Sequence, residues 1–298
     1  GLVLLGRERL PDARDYFLLV QSGDSVGEHT AVRADILSTV CLFLEGRYTR
    51  VLEAIEQHLP TFRSRGFGDE LLFFSFLEAR TLFELGRYSD AAAAFQKGMA
   101  EARVRDVPAA FRVHHLWAAR CEVYLGDTRH AQRVFEAYEP DEEVLFFRAE
   151  CYERQDRAEH ALETLEQGIE ISADPGPTAG ESFSWVTGFA SLEDLAIGRE
   201  SGEPVLNNLI RAFRGYLMAR VGRLEAGMAE VHNLTRQQHL SHLDPYRRLY
   251  FYFYSLILAD AGPDRLDDPL TVLGKSVKHL RERTGHIDEY AHKTDFLH

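Results

Sequence analysis

The placement of glycine constrains this chain more than any other feature. Gly6, Gly46, Gly86 and Gly126 stand 40 residues apart, and Gly222 and Gly262 repeat that interval further on. Most of them close an apolar run with helical spacing, so the pattern predicts helices ending at regular corners within a repeated unit. No convincing alternation of apolar and polar residues competes with it, and the chain reads as all-α.

Gly86 gives the clearest register. In Ala79-Arg-Thr-Leu82-Phe-Glu-Leu-Gly86-Arg-Tyr88-Ser-Asp-Ala91-Ala-Ala-Ala-Phe95-Gln-Lys-Gly98 a glycine breaks one helix and Tyr88 wedges under the turn. Ala91 and Phe95 then let a second helix lie close against the first. Ala119, Ala131 and Phe135 repeat Ala79, Ala91 and Phe95 one unit on, and Ala149, Tyr152 and Ala161 keep the pattern around Asp156.

This register resembles the tetratricopeptide repeat (TPR), whose pattern has small residues where Ala79, Ala91 and Gly98 stand and aromatics near Tyr88 and Phe95. The resemblance implies a right-handed superhelical solenoid of antiparallel helix pairs, irregular and with about seven units. It is carried most strongly by residues 69–171, less by 30–62 and 205–283, and not at all by 172–204.

The expected organisation is a run of repeats over 1–171, an inserted loop with a short amphipathic helix over 172–204, further helix pairs over 205–284, and a polar tail over 285–298. The insert opens on the breaker-rich Ala173-Asp-Pro-Gly-Pro-Thr-Ala-Gly180 and continues through Phe183, Trp185, Phe189 and Leu192. It is too apolar for a solvated linker. Asp69 and Ser89 are expected as helix N-caps. Gly1-Leu-Val-Leu-Leu5 reads as the end of a truncated first helix, which suggests a fragment of a larger repeat protein.

In the TPR family the first helix of each pair lines the concave surface, with residues ten and three before the corner glycine pointing into it. That resemblance assigns an outer set of Ile36, Phe76, Leu116, Phe146, Ala212 and Tyr252. The inner set is Phe43, Phe83, Val123, Glu153, Ala219 and Ala259. So apolar a wall implies either a binding site or a surface covered by the chain itself, through tight winding or the folded-back insert. Arg80, Arg120 and Glu150 sit one helical turn away, placed to bind charged ends of a partner or to satisfy one another. The family's Lys, Asn and Arg clamp on a terminal carboxylate is replaced here by Phe, Leu and Val. That favours an apolar helix or segment as partner.

The functional expectation is a cytoplasmic protein-interaction scaffold, not an enzyme and without cofactor or metal. Its partner-binding residues are Ile36, Phe43, Phe76, Arg80, Phe83, Leu116, Arg120, Val123, Phe146 and Tyr252, with Trp185 and Phe189 of the insert as further contacts. The alternatives are a binding protein for a small hydrophobic ligand and a regulatory repeat region of a larger enzyme. Against 34 Lys and Arg stand 47 Asp and Glu, a net charge of −13, so a nucleic-acid phosphate backbone is repelled. No apolar run is long enough to span a membrane.

Three cysteines without a CxxC argue against a disulfide framework or zinc site. Cys41, Cys121 and Cys151 each precede a corner residue by five positions, which places them as small buried side chains. No P-loop, GxGxxG, HExxH or GxSxG spacing appears. His232, His239 and His242 read as solvated histidines rather than ligands. The aromatic run of Tyr246, Tyr250, Phe251, Tyr252, Phe253 and Tyr254 reads as a helix buried on most sides.

Overall fold

The computed structural model describes residues 10–21, 27–173, 205–236, 247–261 and 269–275. Among the described residues every regular element is a helix. They fall into two compact units, one ending at Leu125 and the other beginning at Gly126.

The first unit contains α1 (Leu10–Gln21), α2 (Glu28–Leu44), α3 (Tyr48–Arg65), α4 (Gly68–Glu84), α5 (Tyr88–Val104) and α6 (Pro108–Leu125). The second contains α7 (Thr128–Glu136), α8 (Glu142–Arg154), α9 (Ala158–Ala173), α10 (Val205–Arg220), α11 (Leu224–Arg236) and α12 (Arg247–Ala261). Residues 269–275 are also helical. Within each unit a helix packs on its neighbours in chain order, and α2 also meets α4, α4 meets α6, and α10 meets α12.

The corners explain this order. Gly46, Gly86, Gly126 and Gly222 take φ of 74°, 75°, 95° and 85°, the left-handed conformation that glycine adopts without a side-chain clash. Asp156 takes it at 58°. The same conformation recurs between the pairs, at Gly66 with φ 76° and at Asp106 with 56°. After the corner residue, an amide donates back across the last helical turn. Arg47 bonds Leu42 and Arg87 bonds Leu82 at 2.9 Å, as Val107 bonds Ala102 and Arg157 bonds Tyr152, while Arg223 bonds Met218 at 2.8 Å. These bonds satisfy carbonyls that the helix end leaves open.

Small residues flank these corners. Seven positions before a corner stand Thr39, Ala79, Ala119, Ala149 and Gly215, and five after it Val51, Ala91, Ala131, Ala161 and Gly227, all buried. Nine after it, Ile55, Phe95, Phe135, Leu165 and Val231 are buried as well. Truncating one of these to Ala removes about 2–5 kcal/mol, because neighbouring helices cannot fully collapse into the gap.

Two local expectations are corrected. Helices α4 and α5 begin at Gly68 and Tyr88, so Asp69 and Ser89 lie inside the first turns; the capping positions are Phe67 and Arg87, with no side-chain cap. Side-chain caps occur instead at Asp127, which accepts from the His130 amide, and Asp141, which accepts from that of Val144. Helix α9 continues through Ala173, past the expected start of the insert. Gly6, Gly262, Trp185, Phe189, Tyr246, His239, His242 and the 285–298 tail lie outside the described residues.

Candidate partner-binding face

Eight of the expected partner-binding residues belong to the first unit. Ile36 and Phe43 come from α2, Phe76, Arg80 and Phe83 from α4, and Leu116, Arg120 and Val123 from α6; none is more than 8% exposed. They are brought together, but as an interior. The spacing put them on the right side of each helix. It left open what covers them, and residues of the same unit do.

Trp117, which sequence reasoning passed over, is the centre of this interior. Its ring lies edge-on to Phe83 at 5.3 Å and to Phe76 at 6.3 Å, with Phe95 at 6.1 Å. The Arg80 guanidinium stands 3.6 Å from its ring centre and that of Arg120 4.6 Å, while Arg120 also covers Phe83 at 5.0 Å. Tyr88 stacks on Tyr124 at 4.8 Å beside Phe83. Guanidinium groups tolerate this burial because their flat, weakly hydrated faces are attracted to aromatic π-clouds. Arg80 also lies 3.5 Å from Glu84.

Below Trp117, His114 is fully buried. Its ring meets Phe76 at 5.6 Å and Phe95 at 5.9 Å, both edge-on. Burial pulls its pKa down to about 4, against a smaller opposing effect of the Leu72 backbone. Nothing in the sequence distinguished it from His115 except helical phase.

The second unit presents a more open surface. From Phe146 on α8 an aromatic ladder runs to Phe213 at 5.9 Å and on to Phe253 at 5.5 Å, with Tyr216 stacked on Phe253 at 5.3 Å and Tyr252 beside it. Phe146 and Phe213 are buried, whereas Tyr252 and Phe253 are half-buried. A polar edge adjoins the ladder. Tyr216 donates to Glu153 at 3.3 Å, and Arg220 donates to Tyr216 at 3.1 Å and to Asp156 at 2.7 Å.

This edge shapes the ionisation of both tyrosines. Burial pushes the Tyr252 hydroxyl up to about 12, with Tyr216 and Glu153 adding to the effect and Arg154 opposing it. Tyr216 is raised as well, by burial first and then Glu153. Both stay neutral hydrogen-bonding groups near neutral pH. The arrangement offers flat aromatic area, a carboxylate acceptor and a fixed guanidinium. Of the inner positions, Glu153 and Ala219 are partly open and Ala259 is exposed. Elsewhere on α12, Tyr250, Phe251 and Tyr254 are buried, and the Tyr254 hydroxyl lies 2.8 Å from His232 Nδ1.

Cys41, Cys121 and Cys151 are free and buried. Burial holds their thiols up at about 12, 12 and 11. Among the described residues no group of three His, Cys, Asp or Glu side chains is placed to hold a metal ion, and no helix is long and apolar enough to cross a membrane.

No curated protein matches this sequence. Residues 194–298, which include α10, α11 and α12, match the family model TP_0123_C, described as a C-terminal domain.

Proposed function

We propose that the chain is a TPR-like scaffold, a right-handed superhelical stack of about seven helix pairs that holds an apolar helix or extended segment of a partner protein. The observation that carries this reading is the recurring corner. A left-handed residue, with small side chains seven before and five after it, lets consecutive helices stack at constant spacing and leaves one helix face of each pair for recognition. The half-open surface around Tyr252 and Phe253, edged by Glu153 and Arg220, is the part of that face best suited to a partner. It combines aromatic area with hydrogen-bonding groups, the composition of interaction hot spots. In the first unit, Phe76 and Phe83 would meet a partner only after the helices part.

Affinity capture with the intact chain, followed by titration of the purified partner segment, tests this reading. Tyr252→Ala is expected to weaken binding at least tenfold while the helical circular dichroism stays the same. Affinity unaffected by that substitution removes this face from consideration. Retention of a small hydrophobic molecule in place of a protein would replace the reading altogether.

A further inference from the structure

His114 sits where only its neutral form is comfortable. The ring is fully buried, and among the described residues neither Nδ1 nor Nε2 meets a well-aligned hydrogen-bond partner, the Leu72 backbone acting on it only weakly. Leu72 and Phe76 face it from α4, and Phe95 and Gly98 from α5. The bare backbone of Gly98 makes the room. A Cβ there would overlap the ring and stand 2.7 Å from its Nε2. One turn away on the N-terminal side of α6, Ala110 packs with Leu72 and Ala102; one turn towards the C-terminus is Trp117. The imidazole is thus the peg that seats α6 against both α4 and α5.

We infer that His114 is a proton-operated latch: neutral, it closes α6 over the Phe76 and Phe95 wall; protonated, it releases α6 and uncovers that wall. Protonation would put a charge and a second N–H donor into a site where the Leu72 backbone offsets only a smaller part of the burial cost, which is high in an apolar interior. The edge-on contacts with Phe76 and Phe95 supply no counter-charge to the ring.

Among the described residues no carboxylate adds to the shift at the ring. The buried charged groups of the packed helices, Arg80 and Glu84 on α4 and Arg120 on α6, belong to the Trp117 layer, and two of them are cations, while buried Tyr88 on α5 and Cys121 on α6 are neutral over this pH range. On α5, Asp90, Lys97 and Arg103 are exposed. The downward shift from 6.5 to about 4 agrees with this geometry, since its only lowering cause is burial. Its sign follows directly. The closed form binds fewer protons than the open form between those values, so closure is favoured above about pH 6.5 and lost as the pH falls towards 4.

The test is hydrogen exchange on the intact chain, corrected for the intrinsic rate. From about pH 7 to about pH 5, protection of the α6 amides is expected to fall roughly twentyfold, the opening expected when one proton binds only the open form over this range. In His114→Gln, which cannot titrate, it should stay level. A fall that survives the substitution places the titrating group elsewhere and overturns the latch. A fall shared equally by α2 and α3, where His58 lies 3.4 Å from Asp35, overturns it too. If the variant does not fold, a ring titration of His114 in the wild-type chain decides. A midpoint near 6.5 with α6 still protected refutes the latch, and a midpoint well below it, reached as α6 protection falls, supports it.

Discussion

A methyl group built on Gly215 would meet the carbonyl oxygen of Gly227 at 2.9 Å and Val231 Cγ2 at 2.6 Å. One built on Gly227 would overlap the Gly215 carbonyl oxygen and stand 2.9 Å from the Ala219 nitrogen. Helices α10 and α11 therefore touch backbone to backbone. These two glycines occupy the positions that Ala79 and Ala91 hold in the first unit, so here the repeat's small-residue rule is taken to its limit.

Gly215→Ala and Gly227→Ala are each expected to destabilise the second unit by about 1–3 kcal/mol, because overpacking outweighs the gain of about 1 kcal/mol in helix propensity. Gly168→Ala on α9 should act in the opposite direction. A Cβ there meets only the Leu145 side chain at 3.6 Å, an ordinary contact, so the propensity gain remains. Urea unfolding of the three variants checks the contrast; the same sign for all three would contradict the close approach.

The corners separate backbone strain from crowding. A Cβ on Gly86 meets nothing within 4 Å, yet φ is +75°. Gly86→Ala should then cost about 1–2 kcal/mol through strain alone. Asp106 already bears that strain at φ 56°. Replacing it with glycine should stabilise the chain by up to about 1 kcal/mol in thermal or urea unfolding. Asp156 is the less favourable site for the same change, since its carboxylate accepts from Arg220 at 2.7 Å.

Glycines at Gly46, Gly86, Gly126 and Gly222 announced their corners because no other residue takes that backbone so readily. Asp106 escaped notice as a left-handed corner for the same reason: an aspartate carries no such mark. Helix phase put Phe76 and Phe83 on a common face, since phase is a local property. Whether that face meets water depends on what covers it. Trp117, His114 and Tyr124 come from a helix about 40 residues further on, and no local pattern specifies such a contact. The openness of Tyr252 is likewise set by distant neighbours.

The cysteines give a chemical check on burial. Thiols held at about 11 to 12 and shielded from solvent are almost wholly protonated at neutral pH, and the thiolate is the reactive form. Cys41, Cys121 and Cys151 should be silent to a disulfide reagent near pH 8 in the native chain, and all three should react at once in denaturant. Early release of a single equivalent would mark a locally open helix. Release of Cys121 ahead of Cys41 under acid conditions would tie that opening to α6.

The cation layer around Trp117 makes the last prediction. Arg80→Met keeps much of the aliphatic volume but removes the guanidinium 3.6 Å from the Trp117 ring centre, an attraction of about 2 kcal/mol when desolvated. It also leaves Glu84, itself buried, without the cation 3.5 Å away. Losing one member of a buried pair costs about 3–5 kcal/mol, largely because the other charge stays behind. Glu84→Gln alone leaves Arg80 on its aromatic ring and should cost less. If the pair and the ring contact act separately, the double variant Arg80→Met with Glu84→Gln should be more stable than Arg80→Met, since Glu84 then carries no charge that has lost this cation. Chemical unfolding of the four proteins completes the cycle. A double variant no better than Arg80→Met would mean that Trp117, rather than Glu84, is what Arg80 chiefly serves.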